Sequence, residues 1–475
     1  MPLQSAEDRA ASRPVLPEDV FFSTTDAKGV ITHANDTFLR LAAMTEGDAI
    51  GRPHNVIRHP EMPGAAFHLV WDELEAGRPV CAYIANRARD GARYDVLATI
   101  APIADGYLSI RLRPGVEELQ GWVLEAYDEV AAAEDRHRSM GGTRSAVAER
   151  GADRLAAALA EHGYATVADF TRAVLPREIE ALLRDLPPID PDTTRRGALG
   201  VVLQAAEEIG RIVEPFAGRL RDFEQLAEQI SAERAAVTPA IAQVAGVRRD
   251  LHALAGLLRD AAQPAAADQP AAADRPATDA AGELAELTDR LAGFAGEAVD
   301  RLETVPVRLT ELQRHLRDLA LRISMLVLMD TMVSRFTAEV ISSGEARGTQ
   351  LRLLAGALEH GLAQVEEETA IVTHLLRQIP ELVEAGVRGT DRVTLRLDGW
   401  AARVTAAVSS GELGNRRGDV VALRDAVLAA TRDRFLALTP IVGLSARLRQ
   451  TPVRFELDEA LVQLALVRGG VADLA

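Results

Sequence analysis

Cysteine is nearly absent: Cys81 is the single one in 475 residues. A disulfide framework and a cysteine-based zinc site within one chain are therefore excluded, which fits a reducing compartment. Aromatic residues are scarce at 4%, and about half of them fall before residue 130. That distribution suits a compact mixed domain followed by long helices rich in Ala, Leu, Arg and Glu. Positive charge is also in deficit, since 53 Lys and Arg face 70 Asp and Glu for a net charge of −17. A nucleic-acid partner needs a basic footprint, so DNA and RNA binding are not expected. Long apolar runs are missing too. The most apolar one, Ile323 to Met329, is far short of the ~20 residues of a membrane span. The N-terminus MPLQSAEDRAASRP is polar and acidic, unlike a signal peptide. These features predict a cytoplasmic location with no membrane span.

The length predicts several domains. Residues 1–17 are expected to be disordered. Two strand-like runs follow, VFFST and GVITHA, around the turn residues Asp26-Ala-Lys-Gly29. Short helices broken by Gly and Pro fill residues 35–76. Three more strand-like runs are joined by Asp90-Gly91 and Asp105-Gly106, turn signals because Gly tolerates positive φ. Two strands, several helices and a three-stranded meander make a domain over 18–114.

From about residue 115 the pattern is helical. Phe216, Phe223, Ile230, Val237, Val244, Leu251 and Leu258 recur every seven residues, with Arg234 and Arg248 interrupting the second seam position. Such recurrence specifies a coiled-coil seam or a bundle stripe, and the arginines are candidates for setting register or partner choice. Pro215 and Pro239 are expected at helix starts or kinks. The helical region 115–261 ends in an Ala/Pro/Asp linker at 262–282. A second series (Leu284, Leu291, Ala298, Val305, Leu312, Leu319, Leu326, Val333) and a third (Leu351, Leu358, Val365, Val372, Ile379) flank the turn Gly344–Gly348. They predict an antiparallel hairpin over 283–380, with further helices over 381–475.

The N-terminal motifs run in a recognisable order. They are Ser23-Thr-Thr-Asp26, Ile31-Thr-His-Ala-Asn-Asp-Thr-Phe38, Gly51-Arg-Pro-His-Asn55, Arg58-His-Pro-Glu-Met-Pro63, Ala65-Ala-Phe67, Trp71, Asn86-Arg87, Gly91 with Tyr94, and Ser109-Ile-Arg111. Over about 95 residues this segment resembles the PAS domain of bacterial aerotaxis receptors. The resemblance implies an α+β fold, a five-stranded antiparallel sheet under a helical flap, followed by mostly α structure in a coiled coil or helical bundle. It also implies non-covalent FAD and a flavin-based redox or oxygen sensor. Carried over by position, cofactor contacts are expected at Asn35, Arg58, His59 and Trp71, with His54, Asn55 and Glu61 nearby. Glu61 stands where the family usually has Asp, and Val80 where it often has Trp. The chemistry suits a flavin, with Arg58 and His59 supplying charge, Trp71 a stacking face and Asn35 an amide. FMN and haem are the alternatives, haem because a histidine can ligate its iron.

The turn Gly344-Glu-Ala-Arg-Gly348 resembles in part the tip of chemoreceptor hairpins. The implied partners are a second copy of the chain through the heptad helices, and the chemotaxis histidine kinase with its coupling protein. No phosphate loop, nucleophile elbow or cyclase signature is present, so the expected output is non-enzymatic. A ligand-free PAS module used for dimerisation or docking is the alternative.

Overall fold

The computed structural model describes residues 12–189, 197–262 and 277–474, apart from 346, 412, 414–415, 436–437, 452 and 454–456. It divides into two units, one of residues 1–223, 317–368 and 455–475, the other of 224–316 and 369–454.

In the first unit the strands are β1 (Phe21–Thr25), β2 (Ile31–Ala34), β3 (Val80–Arg87), β4 (Arg93–Ile103) and β5 (Gly106–Leu112). They pair antiparallel in the order β2-β1-β5-β4-β3. This is the PAS topology. Its turns follow from local chemistry. The Asp26 carboxylate accepts from the backbone N–H groups of Lys28 and Val30 at 2.8 and 2.9 Å, closing the β1–β2 turn. Gly106 sits at φ 147°, where a Cβ would lie 2.0 Å from the Thr25 carbonyl oxygen, so no other residue fits this approach.

Between β2 and β3 lie α1 (Asp36–Ala42), α2 (Glu46–Ala49), a 3-10 turn (His54–Ile57) and α3 (Gly64–Glu75). They cover one face of the sheet. The register sends Ser23, Thr25, Ile84, Asn86, Ile100, Tyr107, Ser109 and Arg111 to that face. The other face and the β3 edge meet α4 (Glu117–Ser139) and α6 (Val167–Asp185), with α5 (Arg144–Glu161) between them. Glu178 of α6 is buried there. It accepts from the Tyr83 hydroxyl at 2.6 Å and from the N–H groups of Gly115 and Val116 at 2.6 and 3.2 Å. The Cys81 N–H, on the free edge of β3, donates to Thr171 Oγ1 at 3.2 Å.

The remaining helices are α7 (Gly197–Ala217), α8 (Leu220–Ala262), α9 (Ala277–Leu302), α10 (Val305–Ser343), α11 (Gly348–Ser410), α12 (Arg417–Arg434), α13 (Thr439–Gln450) and α14 (Asp458–Ala472). In the first unit α10 and α11 pack antiparallel, with Arg322 paired to Glu368 at 3.1 Å, while the arm expected to begin at 283 is divided between α9 and α10. In the second unit Leu251, Leu258, Leu291, Val393, Trp400 and Val427 share one core, and Trp400 Nε1 donates to Thr288 Oγ1 at 2.9 Å. Arg234 and Arg248 lie within that unit and reach Thr310 and Asp300.

Several expectations change. Pro215, Pro239 and Pro380 lie inside α7, α8 and α11, where packing of the flanking turns offsets the lost hydrogen bond of each. The hairpin arm therefore runs past residue 380 to Ser410. Heptad residues such as Val244, Leu251, Leu312, Leu319 and Leu326 are buried within the single chain, so the stripes form bundle core. Of the stretch 1–17 expected to be disordered, residues 12–17 are placed against the domain. The Arg13 N–H donates to the Arg93 carbonyl at 2.7 Å, and its guanidinium pairs with Asp90; residues 1–11 lie outside the described residues. The linker expected at 262–282 lies largely outside them too, and α9 begins at Ala277. Among the described residues no helix is long and apolar enough to cross a membrane.

Candidate functional site

The covered face of the sheet does not close completely against its helices. A cavity of about 300 Å³ remains between the strands, the 3-10 turn and α3, within the range of small-molecule sites. Residues Phe67, Val70, Trp71 and Leu74 recur at helical spacing, so α3 turns one apolar stripe onto it. Trp71 is fixed from two sides. Its ring lies against Gly29, where a Cβ would come within 3.1 Å, and meets Tyr107 edge-on at 5.4 Å.

The sheet wall is polar. Arg111 is 2% exposed, yet no carboxylate pairs with it among the described residues. Its guanidinium donates to Ser23 Oγ at 3.0 Å and to His54 Nε2 at 2.7 Å, and lies 5.6 Å from the Phe38 ring centre. Burial pushes its pKa down to about 10. His54 is part-buried, with its remaining surface toward the cavity. Burial first, and the Arg111 charge second, hold its pKa well below the usual histidine value. The ring is therefore neutral, and the proton belongs on Nδ1 because Nε2 accepts from Arg111. Two further polar atoms on this wall, Asn86 Nδ2 and Ser109 Oγ, are buried without a hydrogen-bond partner. An orphaned donor costs about 1–3 kcal/mol. Orphaned donors beside an unpaired cation on a cavity wall form a built edge for an electron-rich, hydrogen-bonding ligand.

A second, larger cleft of about 1250 Å³ adjoins the cavity. Asn55, Arg58, Phe67 and Trp71 border both. Arg58 donates to the Met62 carbonyl at 2.6 Å, and its guanidinium stands 4.3 Å from the Phe67 ring centre. Burial lowers its pKa, Glu134 opposes this, and the charges of Arg144 and Arg138 add to it.

The structure thus brings His54, Asn55, Arg58 and Trp71 together at the cavity. His59 and Glu61 line the outer cleft instead, with Glu61 3.6 Å from both His59 Nδ1 and Arg93 Nη1. Asn35 lines neither. It caps α1, its Oδ1 accepting from the N–H groups of Phe38 and Phe22 at 3.3 and 3.1 Å. Its Nδ2 donates to Glu339 of α10 at 2.8 Å. Glu339 also accepts from the Asp36 N–H at 2.7 Å and, more weakly, from Thr37 Oγ1 at 3.4 Å. Arg347, buried at the turn between α10 and α11, pairs with Asp36 at 2.7 Å. Phe336 meets Phe22 edge-on at 5.0 Å. The tip of the hairpin is clasped onto the N-terminus of α1.

Thr25, Asn86, Tyr107, Ser109 and Arg111 were not among the expected site residues. Their signal was strand alternation: Tyr107, Ser109 and Arg111 are polar at every second position of β5.

No family model matches the chain. Over 111 residues of the N-terminal domain it is 40% identical to the aerotaxis receptor of Escherichia coli (strain K12), a match covering 22% of this chain and 22% of that receptor. The chain thus matches about a fifth of the relative's length. Among solved structures it is similar to a light-oxygen-voltage domain (23% identity, 23% of this chain and 87% of that chain, TM-score 0.21). It is also similar to the PAS domain of a protein from Colwellia psychrerythraea (21% identity, 23% and 93%, TM-score 0.18). The N-terminal domain has the PAS fold and is similar in sequence to the N-terminal region of that receptor.

Proposed function

We propose that this domain holds a flavin, FAD, and acts as a redox or oxygen sensor whose non-enzymatic output is the helical hairpin. The carrying observation is Arg111, a buried guanidinium without a carboxylate, set beside the orphaned Asn86 Nδ2 and Ser109 Oγ on the sheet wall of the cavity, opposite the apolar stripe of α3. A flavin ring presents an apolar face and an edge of acceptors, and bound there it supplies reversible redox chemistry. Arg111 stabilises whichever redox state puts more negative charge on that edge. Trp71 and Phe67 wall the ring face. Haem fits less well, because the Nε2 lone pair of His54 already faces Arg111.

The route outward is contiguous. Arg111 holds Ser23 on β1, the preceding residue Phe22 is held by Asn35 and packs on Phe336, and Asn35 holds Glu339. A charge change at the ring edge would shift the Arg111–Ser23 contact and so bias the clasp. Release of the tip would expose it to a partner, in our reading the chemotaxis histidine kinase with its coupling protein. Self-association would use surfaces other than the heptad seams, which are already buried.

The test is the absorbance spectrum of the purified full chain, with chromatography of whatever denaturation releases. FAD near one per chain, lost in Trp71→Ala and weakened in Arg111→Leu, supports the reading. A colourless chain that takes up no added FAD refutes it, and a Soret band makes it a haem sensor.

A further inference from the structure

We propose that the helices around the hairpin tip respond to a second input, the ambient pH: the Asp330 carboxyl of α10 holds α7 against the hairpin while protonated and releases it when the proton leaves. This goes beyond the flavin reading and does not depend on it.

Four helices of the first unit close a ring. α10 meets α11 where Gly361 faces Met329, and α11 meets α14 through Glu359 and Arg468 at 2.6 Å. α14 lies on α7 where Gly470 faces Val202, and α7 meets α10 where Gly210 faces Asp330. That last contact differs from the others in chemistry. Asp330 is 5% exposed, and its Oδ1 is buried without a hydrogen-bond partner. A Cβ on Gly210 would come within 2.8 Å of its Oδ2, so the glycine makes room for the carboxyl against the α7 backbone. One turn away on either side everything is apolar and buried: Leu326 and Val333 on α10, Ala206 and Val213 on α7. An ionised carboxylate in such a place has nothing to replace the water it has lost, whereas the protonated form is far cheaper to bury.

Burial accordingly lifts the Asp330 pKa well above the ordinary carboxylate value, and burial is the whole cause. The charged groups on the neighbouring turns neither add to the shift nor oppose it. They are Glu207, Arg211 and Glu214 on α7, Arg335 on α10, Glu359 and His360 on α11, and Arg468 on α14. Arg335 is turned to the Pro187 carbonyl, Arg211 to Glu208 and Arg468 to Glu359. The sign follows from the raised value. The contact has its full strength below the value of ~3.9 that the carboxyl takes once α7 is away. It weakens by up to about tenfold per pH unit above that, until the closed-state value is passed. The effect reaches the clasp through α14, which rides on α7. The Leu474 carbonyl oxygen, just beyond that helix, lies against Gly348, beside the Arg347 that pairs with Asp36. Release of α7 withdraws this support from the tip, so proton loss and clasp opening favour one another.

Amide hydrogen exchange of the full chain reads the opening directly, followed from mildly acid to mildly alkaline pH with the intrinsic exchange rate divided out. Amides of α7 around Gly210 should open more often as pH rises, by up to about tenfold per unit. The Asp36 amide should follow more shallowly. Asp330→Asn, neutral at every pH and nearly the same in shape, should keep α7 closed and abolish the slope. Difference infrared spectra of the unaltered chain should show the carbonyl band of a protonated carboxyl on the acid side of the rise and lose it across the rise. That band should be missing from Asp330→Asn throughout. An α7 opening that ignores pH, or one equally steep in Asp330→Asn, overturns the proposal. Should that variant not fold, the unaltered chain decides alone, and a rise in opening without a matching loss of the band overturns it. An Asp36 amide indifferent to pH while α7 responds overturns the link to the clasp. Bound flavin enters none of these readouts, so the sensor reading stands or falls separately.

Discussion

Replacing Glu339 by Ala should open the clasp between the hairpin tip and the sensor domain. The variant loses the acceptor for the Asp36 N–H at 2.7 Å and for Asn35 Nδ2 at 2.8 Å, and strands the latter. Charge-assisted hydrogen bonds contribute about 1.5–3 kcal/mol each. Glu339 is only part-buried, and burial raises its pKa, so desolvation offsets some of the sum. A net loss of about 2–4 kcal/mol remains. At tenfold per 1.4 kcal/mol, local opening becomes about 30- to 700-fold more frequent. Amide hydrogen exchange at Asp36, and across the turn that carries Arg347, should accelerate by that factor. Glu339→Gln keeps one carbonyl and should fall between. In a double-mutant cycle with Asn35→Ala the coupling should exceed about 1 kcal/mol. Unchanged exchange at Asp36 in Glu339→Ala would refute the clasp. The Phe22–Phe336 contact survives the change, so α10 should stay on β1 even with its tip loosened.

Glu178→Gln should lower stability to chemical denaturation by about 1–3 kcal/mol, because an amide turns one donor end toward the Gly115 N–H or its neighbours; a midpoint equal to the parent would show that the carboxylate does not brace the sheet. His54 predicts a pH dependence. Its folded pKa is depressed, so its contribution is present above the unfolded value of ~6.5 and is lost as pH falls from there toward the folded value. Stability should drop by at most about 1.4 kcal/mol per pH unit in that window. His54→Gln should flatten the slope, and an equally steep profile in the variant would assign it elsewhere.

The sensor domain was legible in the sequence because its turns are written locally. Asp26–Gly29, Asp90-Gly91 and Asp105-Gly106 fall where strands reverse. The cavity was half legible. Arg58, His54, Asn55 and Trp71 reach it, whereas Asn35 turns away to cap α1 and bind Glu339, a residue 304 positions later. No local pattern announces a partner at that distance. Heptad stripes show the same limit. A spacing of seven states that a face is apolar and leaves open whether a second chain or the same chain covers it. Pro239, expected at a helix start or kink, and Pro380, expected to end the hairpin arm, both lie inside helices, because a helix packed on both sides of a proline tolerates one missing donor.

The contact of α6 with the sheet edge has a consequence for how the sensor can be handled in isolation. A fragment ending near residue 114 would keep all five strands and lose Thr171, which takes the Cys81 N–H, and Glu178, which holds Tyr83. It would leave β3 as an open template for strand addition between molecules. It would also uncover a thiol whose pKa burial otherwise pushes up to about 12. Such a fragment would tend to pair edge to edge and to oxidise. A dimer seen with it would report the cut, whereas a fragment carried through Asp185 keeps both its edge and its cysteine covered.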